Sequence, residues 1–208
     1  MCAINRDVDT SAVDAQHWDS VYETKDVADV SWYEPSPSTS TRLIRSVASA
    51  GRVVDVGAGA SELADTLVAD GYEITVMDIS AMALDLVRER LGDQIAYVVA
   101  DVLAWQPHMT WDVWHDRAVF HFLTQSAAQA AYARVAATAV RPGGALVIGT
   151  FAPDGPEACS GLPTARHDVA SLIEVFGTDF DLTQSETDEH VTPWGAAQPF
   201  TWAVFRRR

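Results

Sequence analysis

The sequence is short of cysteine, of long apolar runs and of positive charge, and each shortage closes off a class of protein. Only Cys2 and Cys159 occur among 208 residues. They give neither a disulfide framework nor metal-ligand spacing, so a reducing compartment and no bound metal are expected. No apolar stretch approaches the roughly 18 residues that a membrane helix needs. The opening MCAINRDVDT lacks the basic-then-apolar pattern of a secretion signal. A cytoplasmic protein without a membrane partner is the expectation. Fourteen basic residues face 29 acidic ones, for a formal charge of −15. Such a surface repels phosphate backbones unless basic residues cluster on one face. The one cluster, Arg206 to Arg208, reads as a solvated tail. Nucleic acid is not an expected partner.

What remains is ordinary globular composition, 48% apolar and 21% charged. The length suits one α/β domain whose core needs no covalent staples. From Val53 onward, short β-branched runs alternate with amphipathic helical stretches, the signature of a parallel sheet covered by helices. RVVDVG (52–57), YEITVMD (72–78), IAYVVAD (95–101), WDVWHD (111–116) and the end of RPGGALVIGTF (141–151) read as strands. Between them, 61–71, 80–92 and 124–140 read as helices, with Ser61, Ser80 and Thr124 as N-caps and Gly71 and Gly92 as terminators. After Phe151 a Pro- and Gly-rich loop (152–163) leads to a short helix near 168–176. Two strands near 179–186 and 198–206 follow, and without a helix between them they should pair antiparallel. The first fifty residues read as helical around the linker EPSPSTS (34–40).

VVDVGAGAS is the most informative stretch. A strand that ends in Gly-x-Gly and opens onto a helix lets backbone N–H groups approach a ligand closely. A dinucleotide site wants a third glycine three residues after the second, and Glu62 stands there instead, beside where a pyrophosphate would lie. A phosphate-free cofactor fits better. Asp55 can receive an amino group, while Gly57, Ala58 and Gly59 leave room for the cofactor's body. Asp78, with Ile79 after it, ends the second strand where a carboxylate can hold ribose hydroxyls. Asp101 can accept from an adenine amino group, with Val102 against the ring.

These residues resemble the class I S-adenosylmethionine-dependent methyltransferases over about 53–151. WDVWHDRAVFHFL stands as the fourth-strand segment and RPGGALVIGTF as the turn into the fifth strand. Ser61 departs from the family's D-x-G-x-G-x-G. HWDSVYETK, VSWYEPSPS, TFAPDGPEACSGLP and TPWGAAQPF are similar to small bacterial methyltransferases. The opening W-D-x-V-Y more distantly resembles protein lysine methyltransferases that act on single proteins, such as a translation elongation factor. The resemblance implies a Rossmann-like α/β fold. Its seven-stranded, mostly parallel sheet has the order 3-2-1-4-5-7-6, with the last strand antiparallel and helices on both faces. Residues 1–50 form an N-terminal helical cap and 51–208 the cofactor-binding domain.

The implied cofactor is S-adenosyl-L-methionine, leaving as S-adenosyl-L-homocysteine, and the acceptor a small-molecule O, N or S atom. A protein lysine is the alternative acceptor. An NAD-dependent oxidoreductase and a non-catalytic binding module are the readings outside the class. Asp116 and Arg117 fall at the ligand-binding edge of the sheet, where Arg117 either contacts the methionine carboxylate or pairs with Asp116. His121, a turn further on, is a candidate base or a packed pocket residue. Cys159, Arg166 and His190 are candidate pocket residues, Cys159 reading more simply as an inert thiol. Trp18, Tyr22, Trp32 and Tyr33 can fold over the cofactor as a lid or dock their segment to the domain.

Overall fold

A computed structural model describes residues 15–208. Cys2, the opening segment and the first fourteen residues of the expected cap lie outside the described residues. In chain order the helices are α1 (Ala15–Thr24), α2 (Ser38–Val47), α3 (Leu63–Ala69), α4 (Ala81–Leu91), α5 (Ser126–Ala139) and α6 (Val169–Phe176). The strands are β1 (Arg52–Val56), β2 (Glu73–Asp78), β3 (Ala96–Val99), β4 (Trp111–Arg117), β5 (Val140–Phe151), β6 (Ala158–Cys159), β7 (Leu162–Pro163), β8 (Phe180–Val191) and β9 (Ala197–Arg207). Seven strands form one sheet in the order β3-β2-β1-β4-β5-β9-β8. β9 runs antiparallel to both neighbours, and the pairs from β3 to β5 are parallel. This is the expected topology, with β6 and β7 forming an additional small hairpin.

The central strands are buried on both faces because their side chains alternate between two apolar layers. Val53, Ile74, Val76, Val113 and Val147 meet Leu43 and Ile44 of α2, Leu67 of α3 and Leu84 and Val87 of α4 on one face. Val54, Val56, Trp114, Leu146 and Ile148 meet Tyr132 and Ala136 of α5 and Leu172 and Phe176 of α6 on the other. Trp111 and Trp114 are fully buried in this second layer, with Trp105 packed against both.

Several local expectations need correction. Ser61 does not cap a helix starting beside it; its hydroxyl accepts from Leu63 N at 3.1 Å, and α3 begins at Leu63. Thr124 is not the cap of α5, which starts at Ser126 after an extended Gln125 that makes no side-chain cap bond. Ser80 does cap α4, accepting from Ala83 N at 3.1 Å. The linker around EPSPSTS is already helical from Ser38. β8 and β9 are twelve and eleven residues long, reaching well beyond the strand cores expected. The loop 152–163 contains the unexpected hairpin, turned by Ser160 and Gly161 at φ 51° and 78°, the left-handed pair that a two-residue hairpin turn demands.

One buried chain of hydrogen bonds fixes the end of β4. Trp114 Nε1 donates to Tyr132 Oη at 2.9 Å, and Tyr132 donates to Asp116. Asp116 also accepts from Val119 N at 3.0 Å and Phe120 N at 3.4 Å. Removing the hydroxyl leaves buried groups short of a partner, which costs about 1–3 kcal/mol. Tyr132→Phe should therefore lower the unfolding free energy by that amount in urea denaturation. A loss under about 0.5 kcal/mol would contradict this account of the network.

Candidate active site

Two cavities flank the turn after β1. The larger, of about 470 Å³, opens along the carboxyl ends of β2, β3 and β4. The smaller, of about 250 Å³, lies on the other side of the turn. Tyr22, Trp32, Gly57 and Arg117 line both, so the two are lobes of one site. Carboxyl strand ends beside a topological switch are where open α/β sheets bind ligands.

Asp78 stands at the wall of the larger lobe. Its carboxylate accepts from Gly59 N at 2.8 Å and Ser80 N at 2.9 Å, linking the glycine turn to the start of α4. Burial pushes its carboxyl up to about 6, against the pull of those N–H donors and with a further push from Asp55. Ile79, Asp101 and Val102 line the same lobe. Asp101 accepts from Leu103 N at 2.8 Å, which holds the loop after β3 in a tight turn. Ala58 is buried, its N–H donating to Met77 O at 3.0 Å.

Gly57 and Gly59 have φ of 64° and 54°, left-handed values that other residues adopt only at a cost. The room they leave is shared. A Cβ on Gly57 would collide with Val119, and one on Gly59 with the Tyr22 hydroxyl. The turn is thus covered by α1 rather than open to solvent.

Asp55 faces the smaller lobe, and β1–β4 register sets His115 directly beside it. His115 Nδ1 lies 2.6 Å from Asp55 Oδ1, both side chains being buried. The ring stacks on Trp202 at 6.2 Å between centroids. His115 Nε2 has no hydrogen-bond partner. With Nδ1–H donated to the carboxylate, Nε2 offers a lone pair. His115 was absent from the sequence-based candidates; only the register across sixty residues reveals it.

Other candidates are relocated. Asp116 lines neither lobe and serves the Tyr132 network instead. Arg117 pairs with neither Asp116 nor any group of the strand edge. It donates to Trp32 O at 3.0 Å and lies 3.0 Å from Glu34 Oε1, its charge thereby matched. His121 lines the larger lobe, fully buried, stacked on Phe151 with centroids 4.2 Å apart. Burial, with Arg117 and His167 nearby, pulls its pKa down to about 3. Burial thus favours the neutral imidazole.

Cys159 lines the larger lobe 3.7 Å from Ser31 Oγ, and burial pushes its thiol up, the opposite of activation. Arg166 pairs with the exposed Glu157 at 3.2 Å and lines neither lobe. His190 is also not a lining residue. Its Nε2 donates to Ser31 O at 2.6 Å, so it ties the β8–β9 hairpin to the N-terminal segment. Thr192 closes the turn of that hairpin by accepting from Ala196 N, and Trp194 is 63% exposed.

Trp18 lines the larger lobe, Tyr33 the smaller, and Tyr22 and Trp32 both. Trp18 sits edge-on to Trp32 and Phe122, with centroids 5.5 and 5.3 Å away. Asp19 accepts from Ser80 Oγ at 2.6 Å, docking α1 on the positive end of α4. Among the described residues, no group of three or more His, Cys, Asp or Glu is arranged to hold a metal ion.

Residues 53–144 match the model of a methyltransferase domain. No curated protein sequence matches the chain. Solved structures share the fold of this chain. A structure from work on the conversion of a disulfide bond into a thioacetal group during echinomycin biosynthesis is 22% identical. It covers 93% of this chain and 92% of its own, with a TM-score of 0.75. The 1,6-didemethyltoxoflavin-N1-methyltransferase of Burkholderia thailandensis, bound to 1,6-didemethyltoxoflavin and S-adenosylhomocysteine, is 20% identical over 93% of this chain and 86% of its own, TM-score 0.75. The N-methyltransferase NodS of Bradyrhizobium japonicum, with S-adenosylhomocysteine, is 16% identical over 92% and 98%, TM-score 0.70.

Arg117 is one link from the end of β4 to the N-terminal cover. Arg117→Gln should loosen residues 15–37 and free the backbone around the already exposed Lys25, the one lysine of the sequence. Lys-C digestion under native conditions should cut there several-fold faster in the variant. Equal cleavage rates would show that the cover does not depend on Arg117.

Proposed function

We propose that this chain is an S-adenosylmethionine-dependent methyltransferase acting on an O, N or S atom of a small molecule. The observation that carries this reading is the pair of lobes joined over the Gly57 turn, Asp78 walling one and the Asp55–His115 pair the other. That donor set suits a cofactor with a ribose at one end and a zwitterion at the other. Asp78 would hold ribose hydroxyls, with Asp101 and Val102 at the adenine. His115 Nε2 would accept from the ammonium, while Arg117 faces the carboxylate. S-adenosylmethionine supplies a methyl carbon whose bond to sulfur breaks with the electron pair left on sulfur, so that an acceptor lone pair can form the new bond.

The chain's own part is alignment and exclusion of water. Trp18, Tyr22 and Trp32 cover the site, Phe122 and Phe151 wall it, and His121 contributes a neutral hydrogen-bonding ring. A proton lost from an N–H or O–H acceptor passes to solvent, because His121 resists protonation. A reducing, cytoplasmic setting suits the buried free thiol of Cys159, and no described helix is long and apolar enough to cross a membrane.

The lobe closed by α1 favours a small acceptor over a protein lysine. In the W-D-x-V-Y stretch, Trp18 and Tyr22 line the site, Asp19 docks on α4 and Val21 is buried. Each residue of that resemblance thus has a covering role that calls for no protein substrate. The two relatives named for N-methylation and N1-methylation point the same way. Against a dinucleotide, Glu62 lines the smaller lobe at the entrance to α3, where a pyrophosphate would meet its charge. We further propose that the functional boundary of the cap falls near residue 37, because α2 packs into the main core.

Calorimetric titration with S-adenosylhomocysteine tests the reading. Asp78→Asn should weaken binding by about 1.5–3 kcal/mol, roughly ten- to a hundredfold. The Asp78 carboxyl is raised to about 6 and must be ionised to accept both hydroxyls, so wild-type affinity should fall as the pH drops through that value. The asparagine variant should lack this limb. Unchanged affinity in the variant would remove Asp78 from the site. Labelled cofactor incubated with a lysate should mark a small molecule; label confined to a protein band would contradict the acceptor assigned.

A further inference from the structure

The acceptor end of the larger lobe carries no free charge. Among its lining residues the acidic and strongly basic side chains are Asp78, Asp101 and Arg117. The two carboxylates stand at the cofactor end, and Arg117 is matched by Glu34. A cationic acceptor would find no carboxylate near His121, and an anionic one no unpaired cation.

What the acceptor end does carry is rings. Trp18, Trp32 and Phe122 meet edge to face, and Phe151 presents one face to His121 and its edge to Phe200 at 5.1 Å. Within this apolar frame, neither nitrogen of the fully buried His121 has a hydrogen-bond partner. Unpaired nitrogens in a dry site favour a ligand that supplies what they lack. The neutral imidazole offers one N–H and one lone pair. Gln198, nearly buried, adds an amide on the same lobe.

We infer that the methyl acceptor is an uncharged, flat heteroaromatic molecule, seated among these rings with a ring N–H or O–H paired to His121. The inference rests on the methyl-transfer reading above and names the substrate class of that same site. Edge-to-face walls select flatness. The absence of free charge selects neutrality, and the bare nitrogens select a polar ring over a hydrocarbon.

Theophylline and caffeine test it, being the same neutral bicycle with and without one ring N–H. Equilibrium dialysis against enzyme saturated with S-adenosylhomocysteine should show theophylline binding about tenfold tighter than caffeine, the worth of one hydrogen bond. 4-Hydroxybenzoate and Nα-acetyl-lysine amide should bind weakly or not at all. In His121→Phe the preference for theophylline should vanish, with S-adenosylhomocysteine affinity measured on the same sample as the control for folding. Should that variant fail to fold, the wild-type comparison decides alone. Equal binding of the two xanthines, no binding of either, or preference for the benzoate or the lysine would overturn the inference. Failure of S-adenosylhomocysteine itself to bind would instead overturn the methyl-transfer reading beneath it.

Discussion

The site depends on the parallel register of β1 between β2 and β4. That pairing sets Asp55 beside His115 and carries Asp78 to the strand end that meets the glycine turn. Register in a buried sheet is strongly specified, since a slip of one residue would exchange the two apolar faces. Val53 and Val54 belong to opposite core layers, so a slipped β1 would drive Asp55 into the α5–α6 layer without a partner. The same hydrophobic alternation that builds the core thus aims the polar residues of the site.

Burial then decides what each polar residue can do. Asp116 and Arg117 are sequence neighbours at a strand end, yet they point to opposite faces. Asp116 meets Tyr132 on the helical side, and Arg117 reaches the N-terminal segment. Glu34 joins two parts of the cover, lying 3.0 Å from Arg117 and 3.5 Å from His190. The segment after α1, the β8–β9 hairpin and the end of β4 therefore meet around one carboxylate. The cover is built from charge pairing at its rim and from Trp18, Tyr22 and Trp32 over the site.

The strand and helix rhythm was legible because β-branched runs and helical periodicity repeat cleanly from Val53 to Phe151. The glycine turn and the acidic strand ends were legible because those residue types have few other reasons to recur at such spacing. Less could be read where geometry across the chain decides the outcome. His115 gains its meaning from Asp55, sixty positions away. His121 reads as a base or a packed ring in the sequence, and only the fold shows it buried among Phe122 and Phe151, which lowers its pKa. The β6–β7 hairpin was unreadable because strands of two residues carry no periodicity. Gly57 and Gly59 announced a close approach, but not that Val119 and Tyr22 would share the space.

The central claim is that the two lobes hold the two ends of one cofactor. Comparing S-adenosylhomocysteine with 5′-methylthioadenosine, which lacks the amino-acid end, tests it most directly in wild type and in His115→Phe. The phenyl ring keeps the stacking on Trp202 but removes the nitrogen. The account predicts that the variant binds S-adenosylhomocysteine about tenfold or more weakly, a loss of about 1.4 kcal/mol or more, while 5′-methylthioadenosine binds as before. Equal loss for both ligands, or no loss for either, would contradict it.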